Sequence, residues 1–427
     1  MNRRLCVWVG SIFTCAVMVG AAVPGSALAQ VPPSGLQPSP TAPSSPSAPA
    51  GPTIPPAAQT ASNANQYAAD IRAFIQYQLG VLTGSDLAAV PAARDALRKQ
   101  LSRGSTPSYY AVFCREWCID CTSILNKVPA PPLSVRLNIA IVTSTLTDNG
   151  QTMDASAVPA VEQLAILLLN DSTPSVSLWA IKAARPLVPL RMQAADVNGK
   201  SAVAPIADAI VSAVNKHKGS ELGGYLAQDG YGALKVTEIG GLTAAQVKPL
   251  QPLVVDPMLD ILELRVNQYK DGAILCPGAE REIATFLASQ FPNVPLKTQK
   301  RMVQLMVTLE AYAGQRSNQY INDKAELSQM REMLKYVASA LKVISNNDPN
   351  VEKGLLWLSS IPPAATPFDI FQHTKLVAGV MQAAFPWVTE PAAIPTMEQP
   401  ELIKPPAPAA PAGGAPAPGG QPLTPRR

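Results

Sequence analysis

Residues 323–344 read DKAELSQMREMLKYVASALKVI, and this stretch decides the fold. Leu327, Met330, Leu334, Val337, Leu341 and Ile344 recur at spacings of three and four, the pattern of a helix that buries one stripe. Asn322 or Asp323 supplies a capping oxygen where the pattern starts. No run of alternating β-branched residues competes with this reading elsewhere in the chain.

Upstream the periodicity repeats. Residues 65–82, 88–101, 108–125, 132–146, 158–169 and 175–188 each space their apolar side chains as a helix does. Asp256-Pro257 places a capping acceptor before a proline at the first helical position, ahead of Met258, Leu262, Val266 and Tyr269, and Gly272 stops that helix. Hydrophobic residues make up 47% of the chain but aromatics only 5%, and much of the remainder is alanine, with leucine and valine, which suits close-packed helices. The fold class is all-α. Roughly 330 residues between the two proline-rich ends exceed one compact core at ~100–200 residues per domain, so two domains or an extended array are expected.

Weak self-similarity favours the array. Ser134-Val135-Arg136-Leu137 and Ser175-Val176-Ser177-Leu178 match at an offset of 41, each beside a proline that opens a helix. Pro159-Ala160-Val161-Glu162 and Pro205-Ile206-Ala207-Asp208 match at an offset of 46. Helix pairs recurring every ~40–47 residues resemble the HEAT and armadillo-like repeats, over residues 88–236. The resemblance implies an α-solenoid-like array of helical hairpins across 61–240. Residues 241–390 read as helical without a repeat, either a continuation or a packed bundle.

The ends read differently. Residues 1–29 resemble an export signal: Arg3 and Arg4, an apolar run from Leu5 to Val23, then Ala27-Leu28-Ala29 before a cut at Gln30. Pro24 and Gly25 favour cleavage over retention as an anchor, and Phe13 is too bulky for a lipid-modified Cys15. Residues 30–60 and 391–427, rich in proline, serine, alanine and glycine, have little to bury and read as disordered spacers. After the leader, no segment is long and apolar enough to cross a membrane. The expected location is outside the cytoplasm, periplasmic or secreted.

Lys and Arg number 34 against 30 Asp and Glu, with Arg3 and Arg4 in the leader, so no field favours nucleic acid as a partner. Cys114, Cys118, Cys121 and Cys276 remain after the leader. The first three share one helix face at i, i+4 and i+7. They read as a disulfide or thiol cluster, with a bridge to Cys276, a Cys118–Cys121 bridge, a closed zinc site or plain apolar packing all open. The Cys-x-x-x-Cys-x-x-Cys spacing resembles that of radical S-adenosylmethionine enzymes, whose loop-borne motif and strand-rich barrel differ from this helical context. A haem site is ruled out by Thr122 where a histidine is needed, and a thioredoxin-like pair lacks its strand–helix frame.

Catalytic motifs are scarce. His217 sits between Lys216 and Lys218 as a helix-end cation, and His373 reads as a packing or helix-start residue. Neither belongs to a metal spacing, and no nucleophile elbow, phosphate loop or dinucleotide fingerprint is present. Glu280 with Glu282, or Asp256 with Asp260, are the carboxylate pairs available to a hydrolase. Trp179, Trp357 and Trp387 read as core residues before binding anchors. The expectation is an exported, non-enzymatic helical scaffold or binding protein, without cofactor, for a protein or cell-envelope polymer. A cell-envelope hydrolase with a carboxylate pair and a cysteine-based redox or metal module are the rivals.

Overall fold

The computed structural model describes residues 51–101, 105–147, 156–194, 201–272, 276–320 and 323–391. The leader, residues 30–50 of the linker and residues 392–427 of the tail lie outside the described residues. Regular structure among those described is entirely helical: α1 (Pro56–Thr60), α2 (Ala68–Thr83), α3 (Val90–Gln100), α4 (Pro107–Leu125), α5 (Leu133–Thr147) and α6 (Val158–Leu169). There follow α7 (Pro174–Ala184), α8 (Leu187–Met192), α9 (Ala204–His217), α10 (Gly223–Leu234), α11 (Ala244–Val247) and α12 (Val255–Asp271). The remainder are α13 (Arg281–Gln290), α14 (Leu296–Arg316), α15 (Lys324–Ile344), α16 (Pro349–Ser359), α17 (Pro367–Thr374) and α18 (Val377–Ala384). None of them is long and apolar enough to cross a membrane.

These helices form two layers. In the first, α3, α5, α7, α10, α13, α15 and α16 pack each on the next; in the second, α4, α6, α9, α12, α14 and α17 do the same. Hairpin contacts join the layers, α6 on α7, α9 on α10 and α14 on α15 among them. The two matched sequence pairs fall on consecutive helices of one layer, Ser134 and Ser175 on α5 and α7, Pro159 and Pro205 on α6 and α9. Residue 240 is no seam, because α9 and α10 pack directly on α12 and α10 also meets α13. Both layers run on past it.

Local chemistry explains where helices begin. Proline opens α4, α7, α16 and α17, where a missing N–H costs nothing. Thr106 caps α4 by accepting from Tyr109 N at 3.3 Å, and Thr366 forms a reciprocal box with Asp369 on α17. Asp323 caps α15, its Oδ1 accepting from the Ala325 and Glu326 amides at 3.0 Å. Gly272 ends α12 with φ 80°, the left-handed conformation that glycine adopts without a Cβ clash.

Three readings change in the structure. Residues 51–60, assigned to the spacer, belong to the folded body. Ala58 of α1 is fully buried, Ile54 is buried, and Gln59 O accepts from Thr106 N at 2.8 Å. The helix read over 175–188 breaks at Arg185-Pro186 into α7 and α8. Asp256 is not the cap of α12 but lies in its first turn, where Oδ1 accepts from Thr298 Oγ1 at 3.2 Å.

Small residues let helices approach closely, both between the layers and within one. A Cβ on Gly230 of α10 would come within 3.2 Å of Ile261 Cδ1 and Val214 Cγ2, side chains of α12 and α9. Gly314 of α14 leaves even less room, since a Cβ there would lie 1.8 Å from Thr374 Oγ1 on α17. Interiors packed this densely respond to the addition of a single methyl group.

Candidate functional site

The cysteines are packing residues in the structure. Cys114, Cys118 and Cys121 lie on α4 with at most 4% exposure, and all four cysteines are free thiols. Burial pushes the Cys114 thiol up to about 12 and holds Cys118 and Cys121 well above the ordinary range. Thiolate chemistry is therefore suppressed where three sulfurs share a face. Cys276 sits apart, half-buried between α12 and α13, with Sγ 4.0 Å from Gln228 Oε1 of α10, whereas α4 packs chiefly on α2 and α6. Among the described residues no group of three or more His, Cys, Asp or Glu side chains is arranged to hold a metal ion.

His217 departs from the sequence reading. It is the last residue of α9 but only 5% exposed, and burial lowers its pKa. Its Nε2 lies 3.1 Å from Ser177 Oγ and 3.2 Å from the Asp171 carbonyl, which only accepts, so Nε2 carries the proton. The neutral ring thus ties α9 to the α6–α7 turn and to α7. A Ser–His contact has the outline of a nucleophile and base, yet Ser177 is wholly buried and its hydroxyl donates to Leu169 O at 3.2 Å. The helix-end cation is Lys216 instead: Nζ donates to Asn170 O, at the end of neighbouring α6, at 2.8 Å. His373 stacks on Trp357 at 3.9 Å and 10°, in the last turn of α17 rather than its start.

The two carboxylate pairs do not converge. Glu280 is 1% exposed and ion-paired at 2.6 Å to Arg265, equally buried, and it also accepts from Tyr269 Oη at 3.3 Å. Arg265 donates further to Gln268 Oε1 at 3.1 Å and to Cys276 O at 3.0 Å, so this network braces the α12–α13 connection. Glu282 turns outward to Lys235 and Arg281. Asp256 is engaged by Thr298, and Asp260 finds a different neighbour.

That neighbour defines the candidate site. Asp260 and Glu263, three apart on α12, both accept from Arg301 Nη2 of α14, at 2.7 and 2.6 Å. They form one wall of an open groove of about 430 Å³ between α9, α12 and α14. Asp208, Ser212 and Asn215 of α9 face them, Asn267 extends the α12 wall, and Val211 and Leu264 supply apolar lining. Helical geometry places these residues. On α9, Ile206, Ala207, Ile210, Ala213 and Val214 face inward, and on α12 Met258, Leu259, Ile261, Leu262 and Val266 do so, which leaves the polar stripes outward. Three carboxylates against one guanidinium give the groove a net negative charge, and Arg301 fixes two of them in place. The sequence held one signal for this site, the polar spacing 208, 212, 215 and 260, 263, 267; which helix faces which it did not hold.

Comparison with models of known families and with curated proteins found no match to this chain.

Proposed function

We propose that this chain is an exported helical binding protein whose groove across α9, α12 and α14 receives a positively charged partner from the cell envelope. The carrying observation is the fixed pair Asp260 and Glu263, clamped by Arg301 opposite Asp208. Groups held on rigid helices recognise a ligand with less ordering cost than groups on loops. Negative charge steers a cationic ligand in and rejects anionic ones. The leader at 1–29 supports export, and the resemblance to helical-repeat proteins, which mostly bind rather than catalyse, supports a scaffold. The hydrolase rival loses support because Glu280, Asp256 and Asp260 each serve a structural contact.

Capture from envelope extract on the immobilised full chain tests this, against D208N/D260N/E263Q. At least one retained protein or polymer should fall tenfold or more with the variant, whose circular dichroism stays unchanged. Identical retention by both chains overturns the proposal.

A further inference from the structure

Thr389 fixes where the chain leaves the body. Its N–H donates to Gln304 Oε1 at 3.0 Å and its carbonyl accepts from Gln304 Nε2 at 2.9 Å. Trp387 strengthens the attachment by packing on Phe385 and lying 5.7 Å beneath the Lys300 ammonium of α14. Gln304 follows Arg301 by three residues, about 4.5 Å further along the same face of α14. Pro391, the last described residue, therefore departs close to the α14 edge of the groove.

The far part of the sequence beyond it is complementary to that groove. Glu398 and Glu401 lie near the anchor, but from residue 404 to residue 427 the charged side chains are Lys404, Arg426 and Arg427 alone. Residues 421–427 read QPLTPRR, two guanidinium groups behind a short apolar and proline-containing stretch. The groove lining has three carboxylates and one guanidinium, a surplus of two negative charges, with Val211 and Leu264 as its apolar part.

Building on the groove as the binding site, we infer that it takes a short basic, proline-containing peptide, and that residues 421–427 of the chain itself are its resident occupant. Each arginine fork pairs with a carboxylate, Asp208 on one wall and the outer oxygens of Asp260 and Glu263 on the other. Leu423 and Pro425 lie against Val211 and Leu264. Reach is sufficient: at about 3.1 Å per residue for a proline-rich stretch, the 35 residues from 391 to 426 can span up to about 110 Å, and the groove begins within a turn or two of their anchor. Tethering gives the segment an effective concentration of about 1 mM. An external ligand must displace it, so the chain sets a threshold on its own binding.

A fluorescein-labelled peptide, QPLTPRR, titrated by anisotropy onto the full chain tests the assignment. A peptide dissociation constant of about 100 μM against ~1 mM tethered segment predicts roughly tenfold weaker binding to the intact chain than to R426E/R427E. Adding D208N/D260N/E263Q to R426E/R427E should abolish binding. Equal affinity for the intact and R426E/R427E chains, or survival of binding in the combined variant, overturns the inference. So does a concentration-dependent dimer of the intact chain in sedimentation that R426E/R427E dissolves, because the segment then serves a second copy. If the peptide fails while partner capture still depends on Asp208, Asp260 and Glu263, this inference falls and the proposed function stands; if both fail, both fall.

Discussion

Glu310 offers the sharpest physical test of the packing. It lies on α14, wholly buried, and no side chain hydrogen-bonds either carboxyl oxygen. Burial drives its pKa well above the carboxylate range, and the Ala338 backbone opposes this only in part. The folded chain therefore keeps a proton that the unfolded chain releases near pH 4.3. The sign follows directly. Stability is fully present below the unfolded pKa and is lost as pH rises, because above it the native state binds one proton more. The slope is about 1.4 kcal/mol per pH unit until the folded carboxyl ionises. Glu310→Gln removes the titration while keeping the shape. Urea unfolding of both chains at pH 5, 6 and 7, followed by circular dichroism, isolates the effect, since every other group titrates alike in the pair. The variant should gain on the parent as pH rises from 5 to 7, by up to about 3 kcal/mol, whatever its offset at pH 5. A difference that stays flat across the three pH values would refute the protonated, buried carboxyl.

Other consequences are equally direct. Glu280→Ala leaves Arg265 buried without its counter-charge and should cost about 3–5 kcal/mol in chemical denaturation, whereas R265M/E280L should recover most of that loss. Gly314→Ala drives a methyl into Thr374 and should cost about 1–3 kcal/mol, with T374A added to G314A restoring the melting temperature. A thiol reagent should modify Cys276 first under native conditions, and Cys114, Cys118 and Cys121 only in denaturant; fewer than four reactive thiols in denatured, unreduced mature protein would reveal a disulfide. Expression with the leader intact should give an extracytoplasmic chain whose amino-terminal sequence starts at Gln30, and a cytoplasmic product retaining Met1 would remove the export reading.

What the sequence made legible was whatever depends on neighbours within one helix. The stripe from Leu327 to Ile344, the cap at Asp323 and the stop at Gly272 are all local, and all appear in the structure. Composition misled at residues 51–60, because a proline-rich stretch hides two anchors, Ile54 and Ala58, that only the packed body explains. His217 was misread for a related reason. Its partners, Asp171 and Ser177, are 46 and 40 residues away, and helix-end logic sees only Lys216 and Lys218. The groove was illegible on the same ground. Sequence proximity pairs Asp260 with Asp256, four residues earlier, yet its partner in the structure is Arg301, which reaches it only because α14 follows α12 in the second layer.

Carboxylate footprinting gives the most direct measurement. The R426E/R427E chain is labelled with a water-soluble carbodiimide and glycine ethyl ester, alone and with saturating QPLTPRR peptide. A binding groove predicts that labelling of Asp208 and Glu263 falls several-fold on addition of peptide, while exposed Glu352 on α16 is unchanged. Peptide binding that leaves Asp208 and Glu263 fully reactive, or protects carboxylates elsewhere, would contradict it.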